Sequence, residues 1–174
     1  MVKITKSTPL KEILKLAPAC KCDACSNGCK FGSGMLVPGD EKRLAEHLKI
    51  SEEELKEKFL EETERFHTKM LRPKILRKSG MPHGQCIFYD EKEGCTVHEA
   101  KPLECKTSMG CKDYGEELSV WFMANHTLNS DDAESVRQYS QYIQSGGKVI
   151  EGAELKDIVP DKEKLAKILS YEIL

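Results

Sequence analysis

Four cysteines crowd into the ten residues Cys20–Cys29, which read CKCDACSNGC, and no single face of a helix or strand can bury thiols at these spacings. Cys22 and Cys25 form a Cys-x-x-Cys pair, which lets two sulfurs converge on one ion while the backbone between them turns. Asp23, Ser26, Asn27 and Gly28 are turn formers, so a knuckle-like loop is expected here. Four more cysteines follow far downstream: Cys86, Cys95, Cys105 and Cys111. A local cluster joined to a distant one is the pattern of a metal site that staples two parts of a chain together. All eight cysteines are therefore candidate metal ligands, and the alternative is a set of buried or disulfide-bonded thiols.

Composition bears on that choice. The chain has 174 residues, 39% of them hydrophobic and 32% charged, so its core is modest and a metal staple would help it. A net charge of −2 argues against a broad electrostatic footprint for nucleic acid or an anionic membrane, and neither partner is expected. Lys3, Lys6, Lys11 and Lys15 interrupt the apolar residues of the N-terminal segment, so no secretory signal is read there. No apolar run approaches the length of a bilayer span. A cytoplasmic location follows as the expectation, and in that reducing compartment eight cysteines suit thiolate ligation better than four disulfides.

Along the chain, Pro9 opens a short helix that Pro18 ends. Asp40 caps a helix through Leu48, and Ser51-Glu-Glu-Glu54 is a capping box opening a second helix through about Phe66. Residues 67–79, with Pro73 among them, read as an edge strand or irregular segment. Cys86–Tyr89 and Cys95–His98 are β-prone runs around Asp90–Gly94, which predicts a hairpin with a five-residue loop. Pro102–Cys105 reads as a helical turn. Residues 116–126, 131–144 and 161–172 are expected helices, and 148–150 a short strand. The fold class is α+β and mostly helical: a small metal-stapled module with a short β-hairpin over 1–112, and a C-terminal helical extension packed on it over 113–174.

The cysteine loop, the helical pair after it, and the run from Cys86-Ile-Phe-Tyr89 through Gly94-Cys95-Thr-Val-His98 to Pro102-Leu-Glu-Cys105 together resemble the YkgJ-like CxxCxxCC family. Its members are described as zinc- or iron-chelating and often as iron–sulfur oxidoreductases. The resemblance implies that Cys22, Cys25 and Cys29, with Cys86, Cys95 and Cys105, stand at the family's cysteine positions. Gly28 stands where the family has its third loop cysteine, and Lys101 where an arginine commonly precedes the proline. Cys20 and Cys111 lie outside the shared pattern, and either can supply the missing ligand.

Both metal chemistries fit the spacing. A structural zinc takes four tetrahedral thiolate or imidazole ligands, and eight cysteines suffice for two such sites. A cubane iron–sulfur cluster is also held by thiolates. Only one Cys-x-x-Cys knuckle is present where a zinc ribbon has two, and with the family description this favours the iron–sulfur cluster over zinc. Cys20, Cys29, Cys105 and Cys111 are each followed directly by a lysine, whose ammonium favours a thiolate. His83 and His98 are expected in solvent or hydrogen-bonding roles. No catalytic motif appears, so no catalytic residue or reaction is assigned. The leading function is electron transfer, or the cluster-bearing part of an oxidoreductase or transferase, with a protein or redox partner. The alternatives are a zinc-stapled protein-interaction module and metal storage or delivery. The two cysteine clusters are expected to meet in space, so that at least one metal centre takes ligands from both.

Overall fold

The computed structural model describes residues 2–17, 23–108 and 114–173, with the backbone alone at residues 24 and 25. Its helices are α1 (Leu10–Leu16), α2 (Asp23–Phe31), α3 (Asp40–Leu48), α4 (Glu52–Phe59), α5 (Leu103–Thr107), α6 (Gly115–Phe122), α7 (Ala133–Gln144), α8 (Leu155–Ile158) and α9 (Lys162–Leu169). A π-helical turn, Met123–Thr127, continues α6. The strands β1 (Leu60–Arg65), β2 (Thr68–Pro73), β3 (Ile75–Arg77), β4 (Gly84–Cys86), β5 (Tyr89–Asp90) and β6 (Gly94–Cys95) form three separate antiparallel pairs, β1–β2, β3–β4 and β5–β6. Helix accounts for 46% of the chain, so the class is α+β and mostly helical. No helix among the described residues is long and apolar enough to cross a membrane.

Four expectations are corrected. The segment after Cys22 is a helix, α2, and not a turn-rich loop. Asp23 suits the positive end of the helix dipole, and packing against β4, β5 and β6 overrides the weak helix preference of Ser26, Asn27 and Gly28. The helix opened by Ser51 ends at Phe59, where the chain turns into β1. Four of the six β1 residues are charged, which hides its alternation: Glu62 and Glu64 are exposed, while Glu61, Thr63 and Arg65 are half-buried. The inward charges are paired. Glu61 lies opposite Arg72 in the ladder and accepts from both Arg72 and Arg77 at 2.9–3.0 Å. Phe66 and His67 make the two-residue β1–β2 loop with both φ positive, at 47° and 58°.

The third correction concerns the hairpin at the cysteines. Cys86 does not pair with the Cys95 strand but sits opposite Ile75 in β3–β4. The β5–β6 hairpin is shorter than expected, joining Tyr89 to Cys95 and Asp90 to Gly94. Its turn is local chemistry: Asp90 Oδ1 accepts from the N–H groups of Lys92 and Glu93 at 2.8 and 2.9 Å, and Gly94 takes a φ of 78°. Residues 148–150 form no strand; an isolated parallel bridge joins Thr5 to Glu151 instead.

Hydrophobic burial is divided among three clusters. Ile13 of α1, Met35, Leu103 of α5 and Leu118, Trp121 and Phe122 of α6 share one. Leu44, Leu55, Leu60, Phe88, Val97 and Cys86 make a second, beneath the cysteines. Phe66, Val136, Tyr139, Ile158 and Ile168 make the third, so the β1–β2 turn is anchored in the C-terminal helices.

Two buried carboxylates fasten these parts together. Asp40, fully buried, accepts from Val37 N–H at 2.9 Å, from Leu103 N–H at 3.0 Å and from Arg43. One side chain thus satisfies orphan amides ahead of α3 and at the start of α5. Glu104 accepts from Met35 N–H at 2.6 Å and from Arg65 at 2.5 Å. We expect Asp40→Ala to destabilise the fold by about 3 kcal/mol, because two buried amides and a guanidinium lose their acceptor. Chemical denaturation of the variant against wild type measures this.

Candidate metal centre

The last turn of α2 carries Cys29, β4 ends on Cys86, β6 on Cys95, and α5 holds Cys105. All four thiols line one open chamber of about 770 Å³. The local cysteine cluster and the distant one therefore meet, across the 56 residues that separate Cys29 from Cys86. Cys20, Cys22 and Cys111 lie outside the described residues, as does the side chain of Cys25; the Cys25 position is one helical turn before Cys29 on α2. No three His, Cys, Asp or Glu side chains among the described residues form a group that could hold a single metal ion.

The chamber penalises thiolates. Burial pushes the Cys86 thiol up to about 12 from its ordinary 9.0, with the Phe88 N–H opposing and the Cys29 and Cys95 sulfurs adding to the rise. Cys105 keeps some surface open to the chamber but is surrounded by protein, and burial raises it strongly. Cys86 and Cys29 raise it further, while the Gly34 N–H lowers it. Cys29 is raised by burial and by Cys95, and lowered by Lys101. Burial first, and the neighbouring sulfurs second, thus oppose ionisation of Cys29, Cys86 and Cys105. A cation inverts that balance, since it favours every thiolate at once.

Gly34 fits against Cys105 as only a glycine can. A Cβ at Gly34 would stand 2.6 Å from Cys105 Sγ and 2.8 Å from its backbone nitrogen. The chain on either side is held, with Ser33 Oγ donating to the Pro73 carbonyl at 2.5 Å and Leu36 N–H to the Leu71 carbonyl at 2.8 Å. The donor set and this close cradle both suit a thiolate-bound metal.

Reading the sequence alone missed some of the groups around the sulfurs. Arg65 and Glu104 line the chamber with no sign of it in the sequence, whereas Lys101 and the glycine-rich turn ending at Gly34, expected to clear the metal, stand out there. The lysine acting on Cys29 is not its neighbour Lys30, which is exposed, but Lys101. A charged residue next to proline in a chain of ordinary polarity gave little sign of burial. His98 lines the chamber, whereas His83 makes a tilted ring contact, centroids 5.7 Å apart, with the exposed Phe31.

Two outcomes are expected. Gly34→Ala should lower metal content several-fold in folded protein, read by metal analysis beside circular dichroism, because the added methyl displaces Cys105. The raised thiols also set a pH dependence. A folded-state pKa above the unfolded one gives stability that is complete below about pH 9 and lost as pH rises towards 12. Denaturation of chelated protein should show this decline, and metal-loaded protein should not.

One family description matches residues 21–121, more than half of the chain: CxxCxxCC, "Putative zinc- or iron-chelating domain". The match takes in every cysteine except Cys20 and runs from α2 into α6. Neither the curated proteins nor the solved structures gave a match. The four described thiols, drawn from both ends of the matched region into one chamber, agree with that description, and the chain belongs to the CxxCxxCC family of zinc- or iron-chelating domains.

Proposed function

We propose that this chain is an iron–sulfur protein that acts in electron transfer, or as the cluster-bearing part of an oxidoreductase or transferase, in a reducing cytoplasmic compartment. The observation that carries the reading is the convergence on one chamber of four thiols from both cysteine clusters, none of them part of a Cys-x-x-Cys knuckle. A polynuclear cluster takes one thiolate on each of several irons, which cysteines from distant parts of the chain can supply. Cys29, Cys86, Cys95 and Cys105 would be ligands. Cys20, Cys22, Cys25 and Cys111 are the remaining candidates.

The chain's own contribution is placement and environment. Asp40 and Glu104 hold α5, and with it Cys105, against the segment that follows Cys29. The Gly34 N–H stabilises the Cys105 sulfur as a thiolate, and the Phe88 N–H does the same for Cys86. A bound cluster would supply one-electron chemistry in the chamber.

The second reading is a zinc-stapled interaction module. The family description, which names zinc beside iron, supports it. Anaerobic purification followed by visible spectroscopy and analysis for iron, sulfide and zinc separates the two. A brown protein with iron and sulfide is expected, and its colour should be lost from Cys86→Ser and Cys105→Ser variants. A colourless protein with stoichiometric zinc overturns the iron–sulfur reading and establishes the zinc module.

A further inference from the structure

Lys101 is only 7% exposed, an unusual burial for a lysine, and it lines the same chamber as the four thiols. Its backbone is fixed from both sides. The Ala100 N–H donates to the Val97 carbonyl at 3.0 Å, and Pro102, which follows, is the residue from which α5 starts. Lys101 acts electrostatically on Cys29 although 72 positions separate them in sequence. The other cations at the chamber are placed differently. Arg65 is paired at 2.5 Å with Glu104, which offsets its charge, and Lys30 and Lys92 are exposed.

The net charge of a loaded centre gives this placement its meaning. Four thiolates around a divalent ion leave a net charge of about −2. Four thiolates around a cubane whose core carries about +2 leave the same charge. Such a charge in a partly buried site is costly without a counter-charge.

We propose that Lys101 is a charge-compensating residue of the metal centre, whose ammonium offsets the negative charge of the thiolate-bound metal and so strengthens metal binding. The inference rests on metal ligation in the chamber but not on which metal is bound, because both centres carry the same net charge. Lys101 is a positioning residue and not a ligand, since a lysine beside thiolates acts here through its charge.

Cobalt(II) is the probe, because its thiolate charge-transfer bands report both coordination and affinity. Full-length reduced, chelated protein is titrated as wild type, Lys101→Met, Lys101→Arg and Lys42→Met, the last an exposed lysine of α3. Thermal melts of each metal-free form run alongside. Lys101→Met is expected to bind the same number of ions with about 10–100-fold lower affinity. Lys101→Arg should stay close to wild type, and Lys42→Met should be unchanged. Wild-type affinity in Lys101→Met overturns the proposal. So does an equal loss in Lys101→Arg with unaltered melting, which would assign the effect to shape and not charge. Should the methionine variant fail to fold, Lys101→Gln replaces it under the same criteria. A wild-type chain without any cobalt–thiolate band removes the centre itself, a failure distinct from that of Lys101.

Discussion

The buried pair Asp40 and Glu104 holds the rest of this architecture in place. Asp40 joins the amides of Val37 and Leu103, and Glu104 joins Met35 to Arg65. Between them they stitch the start of α3, the start of α5 and the end of β1 into one junction. Closing a loop of the length between Cys29 and Cys86 costs on the order of 3–4 kcal/mol in chain entropy. The carboxylates, and the apolar cluster of Leu44, Leu55, Leu60 and Phe88 beside them, offset that cost through the polypeptide itself.

Gathering thiols in this way carries an electrostatic consequence. Burial, and then mutual proximity, raises the Cys86 and Cys105 thiols, so a cation that favours the thiolates would release protons on binding. The groups that favour thiolates are local amides, at Gly34 and Phe88, and one ammonium, at Lys101. Metal binding and proton release are coupled by the same geometry that forms the fold.

Much of this was legible in the sequence wherever the chemistry is local. Ser51, Asp132 and Asp161 cap α4, α7 and α9, with side-chain oxygens 2.9–3.4 Å from the first-turn amides. Pro102 announces α5, and the eight cysteines announce the site. What stayed hidden depends on partners distant in sequence. The strand β1 reads as helix because its buried face is made of Glu61 and Arg65, whose partners Arg72, Arg77 and Glu104 are 11 to 39 positions away. The helix α2 reads as loop because its stability comes from packing on β4–β6. Lys101, buried among sulfurs, looks like any other lysine until the fold surrounds it.

The central claim is that one centre draws its ligands from both cysteine clusters. Hydrogen exchange on metal-loaded and chelated protein tests this most directly. If the claim holds, chelation raises exchange together in α2 with the Gly32–Gly34 segment and in β4–β6 with α5, while α7 and α9 stay protected. If chelation loosens only one of the two cysteine regions, the clusters bind separately, and the account of a shared centre is contradicted.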